Sequence, residues 1–152
     1  MNVFDEFDRL VRDLEEQGVR YALVGGVAVA FYTEPRFTRD IDLLVEPDDF
    51  ETTRIILETA GYFESSSPWT FSNTLITLHR FLKTSDEGEM MIDILLPGSD
   101  EIREMISHAV LAESAEGSVR LVSREDLIQL KRARGSKQDQ ADIEKLEQTE
   151  ND

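Results

Sequence analysis

The chain reads as an α+β domain, and three observations predict it. Stretches with apolar residues at helical spacing are segregated from the strand-like runs and do not alternate regularly with them. Two of those runs, near residues 75–82 and 90–96, are separated by a short turn-prone segment, as in a hairpin. The 152 residues show no internal repeat, low-complexity tract or linker, so one domain is the simplest organisation, spanning 1–146 with an acidic tail over 147–152.

The elements follow in order. Val3, Phe4, Phe7, Leu10, Val11 and Leu14 predict a helix over Val3 to Glu16 with one buried stripe, stopped by Gly18. Arg20 to Val24 is a short apolar run between glycines, the first strand. Val27 to Tyr32 is a helix starting directly after Gly26 and closed by Pro35, and Ile41 to Val45 is the second strand. Pro47-Asp48-Asp49 opens an acidic helix start, favourable to the helix dipole; Ile55, Ile56 and Leu57 form its buried side and Gly61 ends it. Ser65 to Pro68 is a loop. Leu75 to Leu82 and Met90 to Leu96 form the hairpin around Ser85–Gly88. Ile102 to Leu111 is helical, Val119 to Val122 is a brief strand, and Ser123 to Asp126 has capping-box spacing before a helix that runs to Gly135. A last helix covers Asp139 to Leu146.

Composition bounds the function. A hydrophobic fraction of 40% and a charged fraction of 32% suit a globular protein, and no apolar run is long enough to span a membrane. The N-terminus is too acidic for a signal peptide, and the lack of cysteine excludes disulfides and thiolate metal sites; a cytoplasmic location is expected. The net charge of −16 offers no general attraction to DNA or RNA. Three readings of that charge stand: a small or protein substrate, a basic partner chain, or charge that serves solubility alone.

The chemistry concentrates between Tyr21 and Val45. An apolar run ends in Gly25-Gly26, and a second carries Asp40-Ile41-Asp42. Residues two apart on a strand point to one face, so the two carboxylates repel unless a cation such as Mg²⁺ lies between them. Glycine lets backbone approach phosphate oxygens closely. Asp93, within Met90-Met-Ile-Asp93-Ile-Leu-Leu, is the candidate third ligand, because an aspartate in so apolar a strand is costly unless paired or metal-bound. Such a set can hold one or two Mg²⁺ ions, and Asp93 is suited to act as general base for an acceptor hydroxyl.

Gly25-Gly26, Asp40-x-Asp42 and Asp93 in this order resemble the signature of the nucleotidyltransferase superfamily, the DNA polymerase β-like fold. More narrowly, Arg36-Phe-Thr38-Arg-Asp40-Ile-Asp42, Asp126-Leu-Ile-Gln-Leu-Lys131, Arg134, Lys137 and Asp139-Gln-Ala-Asp142 resemble the AbiEii-type toxins of type IV toxin–antitoxin systems. The resemblance implies a minimal nucleotidyltransferase fold, a small mixed β-sheet flanked by helices. It implies metal ligation by Asp40, Asp42 and Asp93, a catalytic role for all three, and a phosphate loop shaped by Gly25 and Gly26. Lys131 would approach the triphosphate, with Arg36 opposite it and Thr38 in the same substrate-binding motif. The implied activity moves a nucleoside monophosphate from a nucleoside triphosphate to an acceptor hydroxyl of a tRNA, a protein or a small molecule, with a cognate protein partner in a toxin–antitoxin setting.

Plainer readings accompany some of these residues. Asp139 and Asp142 read as the acidic first turn of a helix, and Lys131 and Arg134 equally suit a helix C-terminus. His79 and His108 read as ordinary residues, and Trp69 as packing or as a platform for a nucleobase. Two rival functions remain: a non-catalytic nucleotide- or partner-binding domain, and an acidic interaction module.

Overall fold

The structure is a computed structural model that describes residues 3–33, 40–114 and 117–150. Helix α1 (Val3–Glu16) leads into strand β1 (Tyr21–Val24), helix α2 (Gly25–Tyr32) and strand β2 (Asp40–Val45). A 3-10 turn over Pro47–Asp49 starts helix α3 (Phe50–Thr59), followed by the two-residue strands β3 (Phe63–Glu64) and β4 (Trp69–Thr70). The hairpin β5 (Thr77–Ser85) and β6 (Gly88–Leu96) is followed by α4 (Asp100–Ser107), β7 (Val110–Ser114), β8 (Gly117–Leu121), α5 (Arg124–Arg134) and α6 (Lys137–Glu150).

Among the described residues the eight strands join one mixed sheet in the order β3-β5-β6-β2-β1-β8-β7, with β4 paired to β5. The pairs β2–β6 and β1–β8 are parallel and the others antiparallel. This is the expected α+β architecture of a mixed sheet flanked by helices.

The two faces of the central strands differ in chemistry. Ile41, Leu43 and Val45 of β2, Ile92 and Ile94 of β6 and Phe81 of β5 alternate onto one face and are fully buried. Helix α3 packs there, with the Phe50 ring 6.5 Å from that of Phe81, and α1 packs beside α3. Asp40 and Asp42, Asp93, and Arg80 occupy the other face. There α2 packs on β1 and β2, α5 faces the sheet across a cavity, and α6 packs against both helices.

Several sequence expectations need correction. Ile55 is 61% exposed, and Phe50, Thr53, Ile56 and Leu57 form the buried side of α3. Consecutive residues of a helix lie 100° apart, so Ile55 and Leu57 cannot both share one narrow stripe. Phe4 likewise turns outward, leaving the buried stripe of α1 to Leu10, Val11 and Leu14. The helix read through Leu111 stops at Ser107, and Val110–Leu111 enter β7, because the antiparallel ladder with β8 captures them. Neither β3 nor β4 was legible; both exist through pairing with β5. The last helix begins at Lys137 and continues to Glu150. The closure of α2 by Pro35 falls outside the described residues.

The caps of α5 behave as their sequence suggests. The Ser123 hydroxyl accepts from the Asp126 amide, and Gly135 takes the left-handed conformation (φ 71°) that ends the helix. This fixes where Lys131 and Arg134 project.

Candidate active site

The acidic residues are brought together by strand register. Asp42 on β2 lies directly opposite Asp93 on β6, and Arg80 on β5 lies opposite Asp93 on its other side. Asp40 is one pleat further along β2 on the same face, beside Met91, and is exposed. Asp42 is partly buried and Asp93 almost wholly so.

The glycine pair sits against this row. Gly25 and Gly26 are the first two residues of α2, and β1 delivers them beside Asp42 through the Val24–Asp42 pairing. Gly25 has φ +73°, and a Cβ there would overlap the Asp42 carboxylate. The helix start approaches so closely because glycine offers no side chain. Its first amides have no partner within the helix, leaving donors for an anion.

Electrostatics single out Asp42. Burial pushes its carboxyl up to about 7, the negative charges of Asp93 and Asp40 add to that, and Arg134 and Lys131 oppose it. Asp93 instead has a countercharge within the protein. Arg80 donates from Nε to Oδ1 at 2.9 Å and from Nη2 to Oδ2 at 3.0 Å, a bidentate pair that raises the arginine pKa further. Among the described residues no group of three His, Cys, Asp or Glu side chains is arranged as a ready metal cage, since Asp93 is turned onto Arg80. The donor set still suits a hard divalent cation: oxygen ligands only, on one sheet face, with Asp42 lacking the bidentate partner that Asp93 has.

Lys131 is placed on the cavity wall but is held from behind. Its Nζ is 3.1 Å from Asp142 Oδ2 and 3.4 Å from Asp139 Oδ1, and all three side chains are buried. Arg134 adds two bonds to Asp139 at 2.6 and 2.7 Å, and Ser136 adds more. Burial alone would raise the Asp139 pKa; the bonds from Arg134 and Ser136 hold it well below the usual carboxylate range. Asp139 and Asp142 therefore do more than open a helix: they anchor α6 to α5 through Lys131. Arg36 and Thr38 lie outside the described residues.

A cavity of about 260 Å³ opens beside Asp93. Gly25, Asp42, Arg80, Asp93, Lys131 and Arg134 line it, together with an apolar wall from β4–β6 and α5. Trp69 belongs to this wall, edge-on to Phe71 at 6.3 Å, with the Arg80 guanidinium 5.3 Å from its ring centre. Asn73 donates to the Ala133 carbonyl and ties the 71–76 turn to α5 across the cavity. Arg80 and Asn73 escaped the sequence reading; Arg80 could have been found by counting back from the Ser85–Gly88 turn to the residue facing Asp93. His79 and His108 lie away from the cavity wall, each paired to a carboxylate, Glu64 and Asp126 respectively.

A glycine-led helix start set against aspartates on adjacent strands of a mixed sheet defines a small nucleotidyltransferase-type domain. Residues 1–141 match the family described as "Uncharacterised nucleotidyltransferase", and the chain belongs to that family, whose enzyme class is nucleotidyl transfer. No curated protein matches the chain. Among solved structures it is similar to a candidate nucleotidyltransferase, TM1012, from Thermotoga maritima, at 13% identity and TM-score 0.65, covering 87% of this chain and 84% of that one. It is also similar to the lincosamide antibiotic adenylyltransferase LnuA, solved with lincomycin bound, at 16% identity and TM-score 0.64, covering 94% and 95%. A third is ANT(2'')-Ia in complex with adenylyl-2''-tobramycin, at 17% identity and TM-score 0.60, covering 96% and 91%. At such identities the likeness establishes the shared fold. Among the described residues no helix is long and apolar enough to cross a membrane.

Proposed function

We propose that this protein is a Mg²⁺-dependent enzyme that moves a nucleoside monophosphate from a nucleoside triphosphate to an acceptor hydroxyl. The observation that carries the reading is the facing pair Asp42–Asp93 on parallel strands, one pleat from Asp40, opening into a cavity. Asp40, Asp42 and Asp93 would hold Mg²⁺, which supplies charge neutralisation for the triphosphate and acidifies the acceptor hydroxyl. Gly25 and Gly26 shape the helix start on which phosphate oxygens rest. Arg36, Thr38 and Lys131 keep the triphosphate roles that the resemblance implies. Asp93 holds the proton of the acceptor hydroxyl; a carboxylate has room for this bond beside the two from Arg80. Positioning and charge neutralisation do most of the work in such a transfer.

The test is transfer of label from each α-labelled nucleoside triphosphate, with Mg²⁺, into host lysate resolved by size and by nuclease or protease sensitivity. Label should enter an acceptor with wild type and not with Asp42→Asn. Equal labelling by both proteins would remove the reading. The toxin role implied by the AbiEii-type motif predicts growth arrest on expression that Asp42→Asn relieves.

A second reading, a non-catalytic nucleotide- or partner-binding domain, is favoured by two internal pairings. Arg80 engages Asp93, and Asp139 and Asp142 engage Lys131. Mg²⁺-dependent triphosphate binding without any labelled product would decide for it.

A further inference from the structure

We infer that the apolar end of the cavity, between β4–β6 and α5 and away from Gly25 and Asp42, is the acceptor subsite, and that it takes a compact alcohol with a flat apolar ring body. It does not take a polycation or a nucleic acid. The inference rests on the transfer reading and names its acceptor class.

On β5 and β6 the residues one pleat beyond Arg80 and Asp93 on the same face are Leu78 and Leu95, and both line the cavity. On β2 the other carboxylate, Asp40, lies on the opposite side of Asp42 and is not part of the lining. The chamber therefore extends from the general-base candidate away from Asp40. In-line attack places the acceptor oxygen opposite the departing pyrophosphate, on the Asp93 side. There the acceptor oxygen bonds to the α-phosphorus, the bond from that phosphorus to the bridging oxygen breaks, pyrophosphate leaves, and the hydroxyl proton passes to Asp93.

Trp69, Phe71, Leu78, Leu95, Leu127 and Leu130 supply an apolar wall, with Trp69 and Phe71 meeting edge to face as ring-binding surfaces. The whole cavity, with its Gly25–Asp42 end included, has a volume of about 260 Å³, which leaves its apolar end room for one or two fused rings. The net charge of −16 opposes a nucleic acid. A polycation is drawn to the surface at large but meets Arg80, Lys131 and Arg134 in this lining, where Asp93 and Asp139 are already engaged and Asp42 lies at the opposite, metal-binding end.

Trp69 is the only tryptophan, so intrinsic fluorescence reports on the cavity directly. Wild type is titrated with 1-indanol, with tobramycin, and with ATP in the presence of Ca²⁺, while folding and ATP binding are followed by circular dichroism and calorimetry. The expected result is a saturable Trp69 response to 1-indanol that ATP leaves unchanged within about twofold, and none to tobramycin. Leu130→Arg should weaken the indanol response at least about tenfold and leave ATP binding intact; Thr74→Arg, on the same lining, replaces it if that variant does not fold. Labelled product in lysate should then be a small molecule resistant to nuclease and protease. Competition between ATP and 1-indanol would assign the cavity to the nucleobase and overturn the inference, as would a saturable tobramycin response or labelled RNA. Each of these leaves the transfer reading standing. Absence of transfer to any acceptor, with indanol binding intact, would overturn the transfer reading and the acceptor assignment and leave a ligand cavity in a non-catalytic domain.

Discussion

Asp42→Asn should stabilise the metal-free protein, and more so at high pH. The folded-state pKa of Asp42 stands near 7, against about 3.8 for an unhindered aspartate, because burial and the charges of Asp93 and Asp40 oppose ionisation. The sign follows from proton binding. Between pH 4 and 7 the folded state holds a proton that the unfolded state has lost, so stability falls as pH rises through that window and is level above it. From pH 5 to pH 7 the difference amounts to roughly two pK units at about 1.4 kcal/mol each, or about 3 kcal/mol. Water reaching the carboxylate from the cavity offsets part of this, so about 1–3 kcal/mol is expected. Asparagine at this position carries no charge and removes this contribution. Urea unfolding of both proteins with EDTA, at pH 5.0 and pH 8.5, measures it. The stability gap between variant and wild type should widen by about 1–3 kcal/mol at the higher pH. A gap of the same size at both values would refute the argument that Asp42 is a strained, ionisation-resistant carboxylate.

Three further outcomes follow from the same geometry. Gly25→Ala should cost more than about 1 kcal/mol, since φ +73° is unfavourable to alanine and its Cβ would displace the Asp42 carboxylate; urea unfolding measures the loss, and calorimetry should show weakened Mg²⁺–ATP binding. Lys131→Met should destabilise by about 3–5 kcal/mol, because Asp142 loses its buried contact with Lys131 and Asp139 is left to Arg134 and Ser136; thermal unfolding at pH 7.5 reads this, and an unchanged midpoint would show that Lys131 does not hold the cluster. Arg80→Leu removes the bidentate countercharge of Asp93 and should tighten Mn²⁺ binding severalfold, measured by electron paramagnetic resonance of the free ion; unchanged or weaker binding would show that the Arg80–Asp93 pair does not compete with metal.

Local order was largely legible because each determinant is short-range. The stripe Leu10, Val11, Leu14, the cap at Ser123 and the stop at Gly135 each act within a few residues, and helix α5 formed as those signals require. The hairpin turn at Ser85–Gly88 places β5 and β6, and its register by itself sets Arg80 opposite Asp93. The two-residue strands β3 and β4 were not legible, because nothing within Phe63–Glu64 or Trp69–Thr70 demands extension; β5 imposes it. Val110–Leu111 failed for the same reason, their helical spacing being overridden by the ladder to β8.

For the site, the sequence by itself determined the inventory: two aspartates of one pleat spacing, a third in an apolar run, and a glycine pair at a helix start. Those follow from the strand period and from the conformational freedom of glycine, both local properties. Tertiary structure alone decided how they meet. The parallel pairing of β2 with β6, formed between segments some fifty residues apart, sets Asp42 opposite Asp93. The antiparallel pairing of β1 with β2 brings Gly25 against Asp42. The packing of α6 on α5 buries Asp139 and Asp142 around Lys131, turning residues that read as a polar helix start into a buried ion cluster. The cavity exists only because the Trp69–Ile76 segment and α5 approach the same sheet face from different parts of the chain, and no local pattern encodes a space between them.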